Sequence, residues 1–173
     1  MQKGINLWYY KERSNFIVAY CYMKGQHYAA SYKKFGELTL EELYEILRHR
    51  AEIFVEEQAC PYNDVDSLDI NAYHVFLTDN DGIAAYLRVL DKGVQHEEVT
   101  IGRVIAVKRG QGLGAEIFKA GIKVAREKYG AKKIQIAAQC QARGFYEKFG
   151  FRQISEEFLD VGIAHIHMQL DCE

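Results

Sequence analysis

Three glycines at positions 110, 112 and 114 separate a strand-like segment that ends near Val107 from a segment with helical periodicity. The first turn of a helix presents backbone N–H groups that have no partner within the helix, and the helix dipole adds positive potential there. Glycines also remove the side chains that would block an approaching anion. The turn therefore predicts a binding site for a phosphate or a pyrophosphate.

Two common phosphate-binding turns do not fit this sequence. A Walker A loop needs the pattern G-x-x-x-x-G-K-[ST], and neither the spacing nor the Lys-Ser/Thr pair is present. The dinucleotide-binding pattern can be fitted from Gly110 to Ala115, but it requires an acidic residue about 20 positions later. No Asp or Glu lies between Lys128 and Glu147, and the turn comes late in the chain, after a predicted hairpin.

The apolar periodicity predicts three helices. Residues 39–42 form a capping box, so a helix should begin after Thr39, and we expect it to end near Glu57, before the only proline. A third, short helix is expected over 142–149. The buried stripe of the helix that follows the glycine turn is predicted to consist of Leu113, Ile117, Ala120, Gly121 and Val124.

Alternating and β-branched segments predict a sheet of hairpins with one strand–helix–strand crossover. The expected strands cover residues 27–35, 72–78, 83–90, 99–107, 133–138, 151–159 and 163–170. Residues 27–173 are interpreted as one domain. Residues 1–26 are interpreted as an N-terminal extension rich in aromatic residues, which is a candidate added edge strand or homodimer contact; Met23 leaves open a later start of the functional chain.

Composition excludes several classes of function. The 173 residues carry 22 basic and 24 acidic side chains, so no basic excess indicates a nucleic-acid binder or a membrane-surface binder. The longest apolar stretch near the start is too short to cross a bilayer. The four cysteines form no CxxC pair, which argues against a zinc knuckle and favours reduced thiols in the cytoplasm.

The charge is distributed unevenly along the chain. Residues 103–152 contain 12 basic and 3 acidic side chains, a balance of +9, while the remaining residues contain 10 and 21, a balance of −11. An anionic ligand is therefore expected at the segment that contains the glycine turn, and a cationic ligand would suit the acidic remainder. The basic segment and the acidic remainder could instead both be charged faces exposed to solvent.

The run RGQGLG at residues 109–114 resembles the R/Q-x-x-G-x-G/A motif of the GNAT N-acetyltransferase superfamily. The run FYEKFGF at 145–151 is similar to a second landmark of that family, in the expected order with a strand between the two. The runs FVEEQACPY at 54–62, IGRV at 101–104 and GIAHI at 162–166 resemble the ElaA-type branch. The resemblance covers about residues 38–170 and implies an α/β fold with a mixed, mostly antiparallel, splayed sheet and helices on both faces.

The resemblance implies acetyl-CoA as acyl donor, with its pyrophosphate at the glycine turn and its pantetheine arm paired with the preceding strand like an extra strand. Lys108 and Arg109 add positive charge at the turn. The predicted cofactor-binding residues are Ile105, Ala106, Val107, Arg109, Gly110, Gln111, Gly112, Leu113, Gly114 and Ala115.

The catalytic assignments are less constrained. Attack of an amine on a thioester expels a thiolate, which leaves faster if it is protonated, and Tyr146 matches the family's position for that acid. A tyrosine packed among its aromatic neighbours is the structural alternative. For the base, the sequence offers Glu98, Glu97, His96 and His74 and does not decide among them. The resemblance favours Glu98, because it lies at the start of the motif-bearing strand, where many GNAT enzymes place a glutamate, and a surface hairpin charge is the structural alternative. His165 and His167 have zinc-ligand spacing but no evident third ligand, so no metal is expected.

The acceptor is expected to be a primary amine on a small molecule or a peptide. Carboxylates in the acidic loop that carries Tyr62, Asp64 and Asp66 would attract an ammonium group, although such residues also cap turns. Arg103 would bind a substrate carboxylate or pair with an acid of that loop. The alternative to acetyl transfer is a CoA-binding sensor or partner module without transfer chemistry, and a dinucleotide enzyme is a further rival.

Overall fold

The computed structural model describes residues 9–13, 16–23 and 25–172. Its strands are β1 (Tyr9–Arg13), β2 (Phe16–Met23), β3 (Gln26–Lys34), β4 (Tyr73–Asp79), β5 (Gly82–Leu90), β6 (Val99–Ala106), β7 (Lys133–Gln139), β8 (Arg152–Gln153), β9 (Phe158–Asp160) and β10 (Ile163–Asp171). The α-helices are α1 (Leu40–Arg50), α2 (Leu113–Tyr129) and α3 (Arg143–Glu147). No helix in these ranges is long and apolar enough to cross a membrane.

The ten strands form one sheet in the order β1-β2-β3-β4-β5-β6-β7-β10-β8, with β9 paired to β10. The β6–β7 pair is parallel, and α2 forms its crossover; the other described pairs are antiparallel. The aromatic N-terminal segment contributes β1 and β2, which extend the sheet beyond β3. An added edge was one of the two structural roles expected for that segment.

Helices cover both faces of the sheet, as predicted. Phe76 and Tyr86 point toward α1 and pack with Ile46, whereas Val75 and Leu87 point toward α2 and pack with Ile117. The alternation along β4 and β5 therefore fills two cores, one on each side of the sheet.

The N-terminus of α1 confirms the predicted capping box. Thr39 accepts a hydrogen bond from the Glu42 amide at 3.1 Å, and the Glu42 carboxylate accepts one from the Thr39 amide at 2.9 Å. After Arg50 the helix widens into a π-helical segment, Ala51–Glu57, so the helical region ends where the sequence predicted.

Two predictions of local structure need correction. The single strand expected over 151–159 is two short strands, β8 and β9, because the ladder pairing with β10 is interrupted between Gln153 and Phe158. In α2, Ala120 is half-buried, while Phe118, absent from the predicted stripe, is fully buried. Phe118 contacts rings contributed by α3 and by the segment after it, which are distant in sequence.

Candidate functional site

The glycine turn has the conformation that an anion site at a helix N-terminus requires. Gly110 and Gly112 have φ angles of +72° and +83°, a region that favours glycine, and Gly112 caps α2. The Gly112 carbonyl accepts from the Ala115 amide at 3.1 Å, so the helix begins here and the amides of Leu113 and Gly114 lie in its open first turn.

Side chains around the turn fix its position. The Tyr28 hydroxyl of β3 is hydrogen-bonded to Gln111 Oε1, and the methyl end of Met23 approaches Gly112 so closely that an added Cβ would lie 3.1 Å from it. Lys108 bonds to Asp79 and Asp81, each at 2.6 Å, and Arg109 bonds to Glu57 at 2.6 Å. Both cations predicted to face a phosphate are thus also held by carboxylates.

The sheet opens between β6 and β7. Their parallel pairing is confined to Val99 and Thr100, after which the two strands diverge. A β-bulge in β6 contributes to this divergence: one extra residue is inserted between the partners of Tyr86 and Arg88, and Arg103 adopts a φ of +54°. The Val107 amide donates to the Ala84 carbonyl on β5 at 2.9 Å. Because successive residues of a strand point their backbone N–H and C=O groups to alternate sides, those of Ala106 face the open side.

A cavity of about 390 Å³ lies in this opening. Its walls come from both layers, because Tyr146 packs with the α2-side core whereas Phe54 packs with the α1-side core. The cavity therefore joins the two faces of the sheet, and a donor on one face could meet an acceptor from the other.

Tyr146 lies at this cavity on α3, held by aromatic neighbours. Its ring is 5.1 Å from the Phe118 ring and 5.1 Å from the Phe145 ring, in edge-to-face geometry. Burial raises the pKa of Tyr146 to about 12, so the hydroxyl keeps its proton at neutral pH. A protonated hydroxyl in a cavity can donate to a leaving group.

The acidic loop is fixed to the sheet by a network of three arginines and three aspartates. Arg50 binds Asp64 and Asp69, each at 2.7 Å, and Arg88 binds Asp66 at 2.7 Å and Asp69 at 2.8 Å. Arg103 reaches Asp64 at 2.6 Å and Asp66 at 3.2 Å. Arg50 and Arg88 are fully buried, which is tolerated because each has carboxylate partners.

Protonation within this network follows from the ion pairs. Burial alone would raise the pKa of Asp66 and of Asp69, but the hydrogen bonds and charges of Arg88 and Arg50 outweigh it, and both pKa values fall below the ordinary range. Burial raises the pKa of Tyr62, whose hydroxyl donates to Asp64 at 2.8 Å. Asp66 and Asp69 are therefore ionised, and both are already paired with arginines.

The structure brings four of the predicted residues together. Tyr62, Asp66, Arg103 and Tyr146 line the cavity, and Asp64 lies buried behind Arg103. Glu98 does not line it: with His96 and Glu97 it borders a separate depression beside Lys133, at the end where β6 and β7 are still paired.

His74, another candidate base, is fully buried. Its Nδ1 contacts the Tyr86 hydroxyl at 2.9 Å and its Nε2 the Asp69 carbonyl at 3.0 Å, so both ring nitrogens are occupied.

Several cavity residues were not predicted as part of a site. Cys60, Gln139 and His165 line the cavity, and Gln139 bonds across to Gln58 at 3.0 Å. His165 was noted for its spacing from His167 and as part of the GIAHI run, without a role in the site. The described residues contain no group of three side chains arranged to hold a metal. The signal available for His165 was its place near the start of the last strand, which pairs with β7 at the edge of the opening.

Comparison with known proteins agrees with this geometry. The family model for the acetyltransferase (GNAT) domain matches residues 42–172. A UPF0039 protein of Synechocystis is 37% identical over 141 residues, which are 80% of this chain and 92% of that protein. Protein ElaA of Escherichia coli is 35% identical over 137 residues, which are 77% of this chain and 90% of ElaA.

Solved structures give the same result. The crystal structure of an acyl-CoA N-acyltransferase from Pseudomonas aeruginosa superimposes with a TM-score of 0.76 at 34% identity, covering 81% of this chain and 97% of that one. The crystal structure of ElaA superimposes with a TM-score of 0.75 at 32% identity and the same coverage.

The superposition shows that this mixed sheet with helices on both faces has the acyl-CoA N-acyltransferase fold. The coverage of the relatives shows that this resemblance extends through nearly their whole length. The chain belongs to the GNAT acetyltransferase family, within the group of ElaA and UPF0039 proteins.

Proposed function

We propose that the protein transfers an acetyl group from acetyl-CoA to a primary amine by direct attack. The observation that carries this proposal is the cavity in the sheet opening, which borders Tyr146 on one face and the Tyr62 loop on the other. Such a passage allows a thioester and an amine to meet without a covalent enzyme intermediate. The four cysteines without a CxxC pair favour a reducing, cytoplasmic setting.

The residues of the glycine turn fit the pyrophosphate of acetyl-CoA. The backbone amides of Leu113 and Gly114, in the open first turn of α2, would hold it, with Gln111 fixed in place by Tyr28 and with Arg109 at the rim. The pantetheine arm would run along Ile105–Val107 and occupy the place that β7 vacates. The amide of Ala106, which faces the opening, would then stabilise negative charge on the thioester oxygen.

The acid in this mechanism is Tyr146. Its proton would pass to the sulfur as the carbon–sulfur bond breaks, since a thiol is a better leaving group than a thiolate. The Tyr146 hydroxyl is protonated at neutral pH, so the proton that this role requires is present.

The acceptor would enter from the side of the acidic loop. Asp66 lines the cavity with a side chain that is 24% exposed, so it can attract an ammonium group even though Arg88 binds it. Asp64 would act indirectly, by holding Arg103 and Tyr62 in the cavity wall. This arrangement favours a small amine or a peptide amine.

Calorimetric titration with acetyl-CoA, CoA and NADH tests the donor. We expect micromolar binding of acetyl-CoA and no binding of NADH. Gly112→Ala should weaken the binding of acetyl-CoA at least tenfold, because alanine is strained at a φ of +83° and its Cβ would meet the Met23 side chain. Gly36→Ala, with no atom near its added Cβ, is the matched control and should bind normally. Binding of NADH in place of acetyl-CoA would contradict the proposal.

Release of free thiol from acetyl-CoA in the presence of a panel of primary amines tests the transfer. We expect Tyr146→Phe to lower the rate by about 10²- to 10⁴-fold while acetyl-CoA binding stays the same. Tight CoA binding without transfer to any amine would favour a non-catalytic CoA-binding module instead.

A further inference from the structure

The cavity wall contains a titratable side chain, His165, that takes no part in the steps assigned to Tyr146 and Ala106. It lies on β10, is 9% exposed, and shares the cavity wall with Tyr146, Tyr62 and Arg103. The predicted base, Glu98, lies outside that cavity. Proton removal from the attacking amine therefore needs a group that does border the cavity, and His165 is such a group.

The hydrogen bond of His165 defines which ring nitrogen carries a proton. Nδ1 lies 2.8 Å from the carbonyl oxygen of Ile163, and a carbonyl can only accept, so Nδ1 is the donor. In the neutral ring the lone pair is then on Nε2. The stacked ring of Phe158, with its centroid 6.0 Å away and an interplanar angle of 27°, helps to hold this orientation. The basic nitrogen of neutral His165 is thus Nε2, on a side chain that lines the cavity.

His165 and Tyr146 approach the opening from opposite faces of the sheet. Ile166 and Met168 of β10 point into the α2-side core, so the alternation places His165 on the other face. Tyr146 packs with the α2-side core. An amine from the acceptor side would reach His165 first, and the thioester would lie between the two side chains.

We propose that Nε2 of His165 is the general base that takes the proton from the acceptor amine, an inference that rests on the proposed acetyl transfer. The ammonium acceptor first loses one proton to solvent. The neutral amine nitrogen then bonds to the thioester carbonyl carbon, and one of its two remaining protons passes to Nε2. The carbon–sulfur bond breaks with its electron pair going to sulfur, which takes the proton of Tyr146. His165 then releases its proton to solvent and Tyr146 regains one, so that the products are an amide and CoA thiol.

Several titratable or charged groups lie around His165. The neighbouring elements place them in the same cavity wall or on the same face of β10: Cys60, Tyr62 and Asp66 from the loop, Arg103 from β6, Tyr146 from α3, Asp160 from β9 and His167 from β10. His167 provides a matched control, because it lies two residues further on the same face but does not line the cavity.

The test compares wild type, His165→Gln and His167→Gln. For each, amine-dependent thiol release from acetyl-CoA is measured from about pH 5 to pH 9, using the best amine of the panel. We expect His165→Gln to lower kcat/KM by about 10²- to 10⁴-fold and to remove the rise of kcat/KM through the histidine range, with acetyl-CoA binding unchanged. His167→Gln should keep the wild-type kcat/KM and its rise with pH. In a further variant, His165→Ala, added imidazole should partly restore the rate.

The outcomes separate the two proposals. Wild type that transfers to no amine overturns acetyl transfer, and the role of His165 with it. Wild type that transfers, together with a His165→Gln variant that keeps its rate and its pH profile, overturns the role of His165 alone. Nitrogen NMR of the wild-type histidines gives a readout independent of the acceptor: an unprotonated Nε2 on neutral His165 is expected, and a proton on Nε2 would overturn the assignment.

Discussion

Arg103 and Asp64, separated by 39 positions in the sequence, are joined by a hydrogen bond of 2.6 Å from Nε to Oδ1. This contact connects the bulge of β6 to the acidic loop. The Arg103 guanidinium also lies 5.9 Å from the ring of Phe54 and 5.8 Å from the ring of Tyr62, both of which line the cavity. One side chain therefore holds the bulged strand, the loop and the cavity wall together.

Arg103→Met should loosen this connection. Asp64 would keep Arg50 but lose a charged hydrogen bond, so we expect the free energy of unfolding to fall by about 1–3 kcal/mol. KM for the amine should rise more than KM for acetyl-CoA, because the loop borders the acceptor side. Urea unfolding and steady-state kinetics measure the two effects. Arg143→Met, which removes an exposed pair with Glu147, should change stability by less than about 0.5 kcal/mol.

Asp69→Asn should both destabilise the protein and change its response to acid. Asp69 accepts from the buried Arg50 and Arg88, and its removal leaves two buried cations short of a partner, at a cost of about 3–5 kcal/mol. Because its pKa is lower in the folded state, the stability it contributes is complete above about pH 4 and is lost as the pH falls through the folded-state pKa.

Urea unfolding between about pH 7 and pH 3 measures this effect. The free energy of unfolding of the wild type should fall steeply at the acid end. That of Asp69→Asn should be lower at neutral pH and should fall less. Asp171→Asn, in an exposed pair with Arg152, should follow the wild-type curve. Equal acid slopes for wild type and Asp69→Asn would contradict the folded-state pKa.

The features that the sequence predicted well are determined by short-range rules. The capping box at Thr39 specifies a backbone conformation within four residues and forms as predicted, and the helix expected after the glycines at 110 and 112 begins at Leu113. The turn at Gly162, with a φ of +84°, joins β9 to β10 for the same reason.

The features that the sequence missed depend on distant partners. Arg50 lies in a helix and Arg88 in a strand, where no local pattern indicates that a cation will be buried; only the loop carboxylates make this possible. The same holds for the site. Glu98 lies at the end where β6 and β7 are paired, whereas His165 lies beside their opening. The position of a residue along its strand does not predict this difference, because it depends on where two strands separate.

Phe118→Leu should separate positioning of Tyr146 from overall stability. Phe118 is fully buried, and the rings of Tyr146 and Phe149 lie 5.1 Å and 4.9 Å from it. Leucine cannot provide these edge contacts, each worth about 0.5–1.5 kcal/mol. We expect a lower free energy of unfolding and a severalfold lower kcat, with KM for acetyl-CoA nearly unchanged. Val124→Ala, a buried change on the same helix, should reduce stability without reducing kcat.

Met23→Ala tests whether the N-terminal hairpin supports the cofactor turn. Met23 ends β2, and its side chain lies over Gly112, while the adjacent Tyr22 points to the opposite face of the strand and is 46% exposed. Loss of the thioether should leave the turn less rigid, and a loss of about 1 kcal/mol corresponds to about fivefold weaker acetyl-CoA binding by calorimetry. Tyr22→Ala should bind acetyl-CoA as wild type does. If Met23→Ala also binds normally, the hairpin extends the sheet without contributing to the cofactor site.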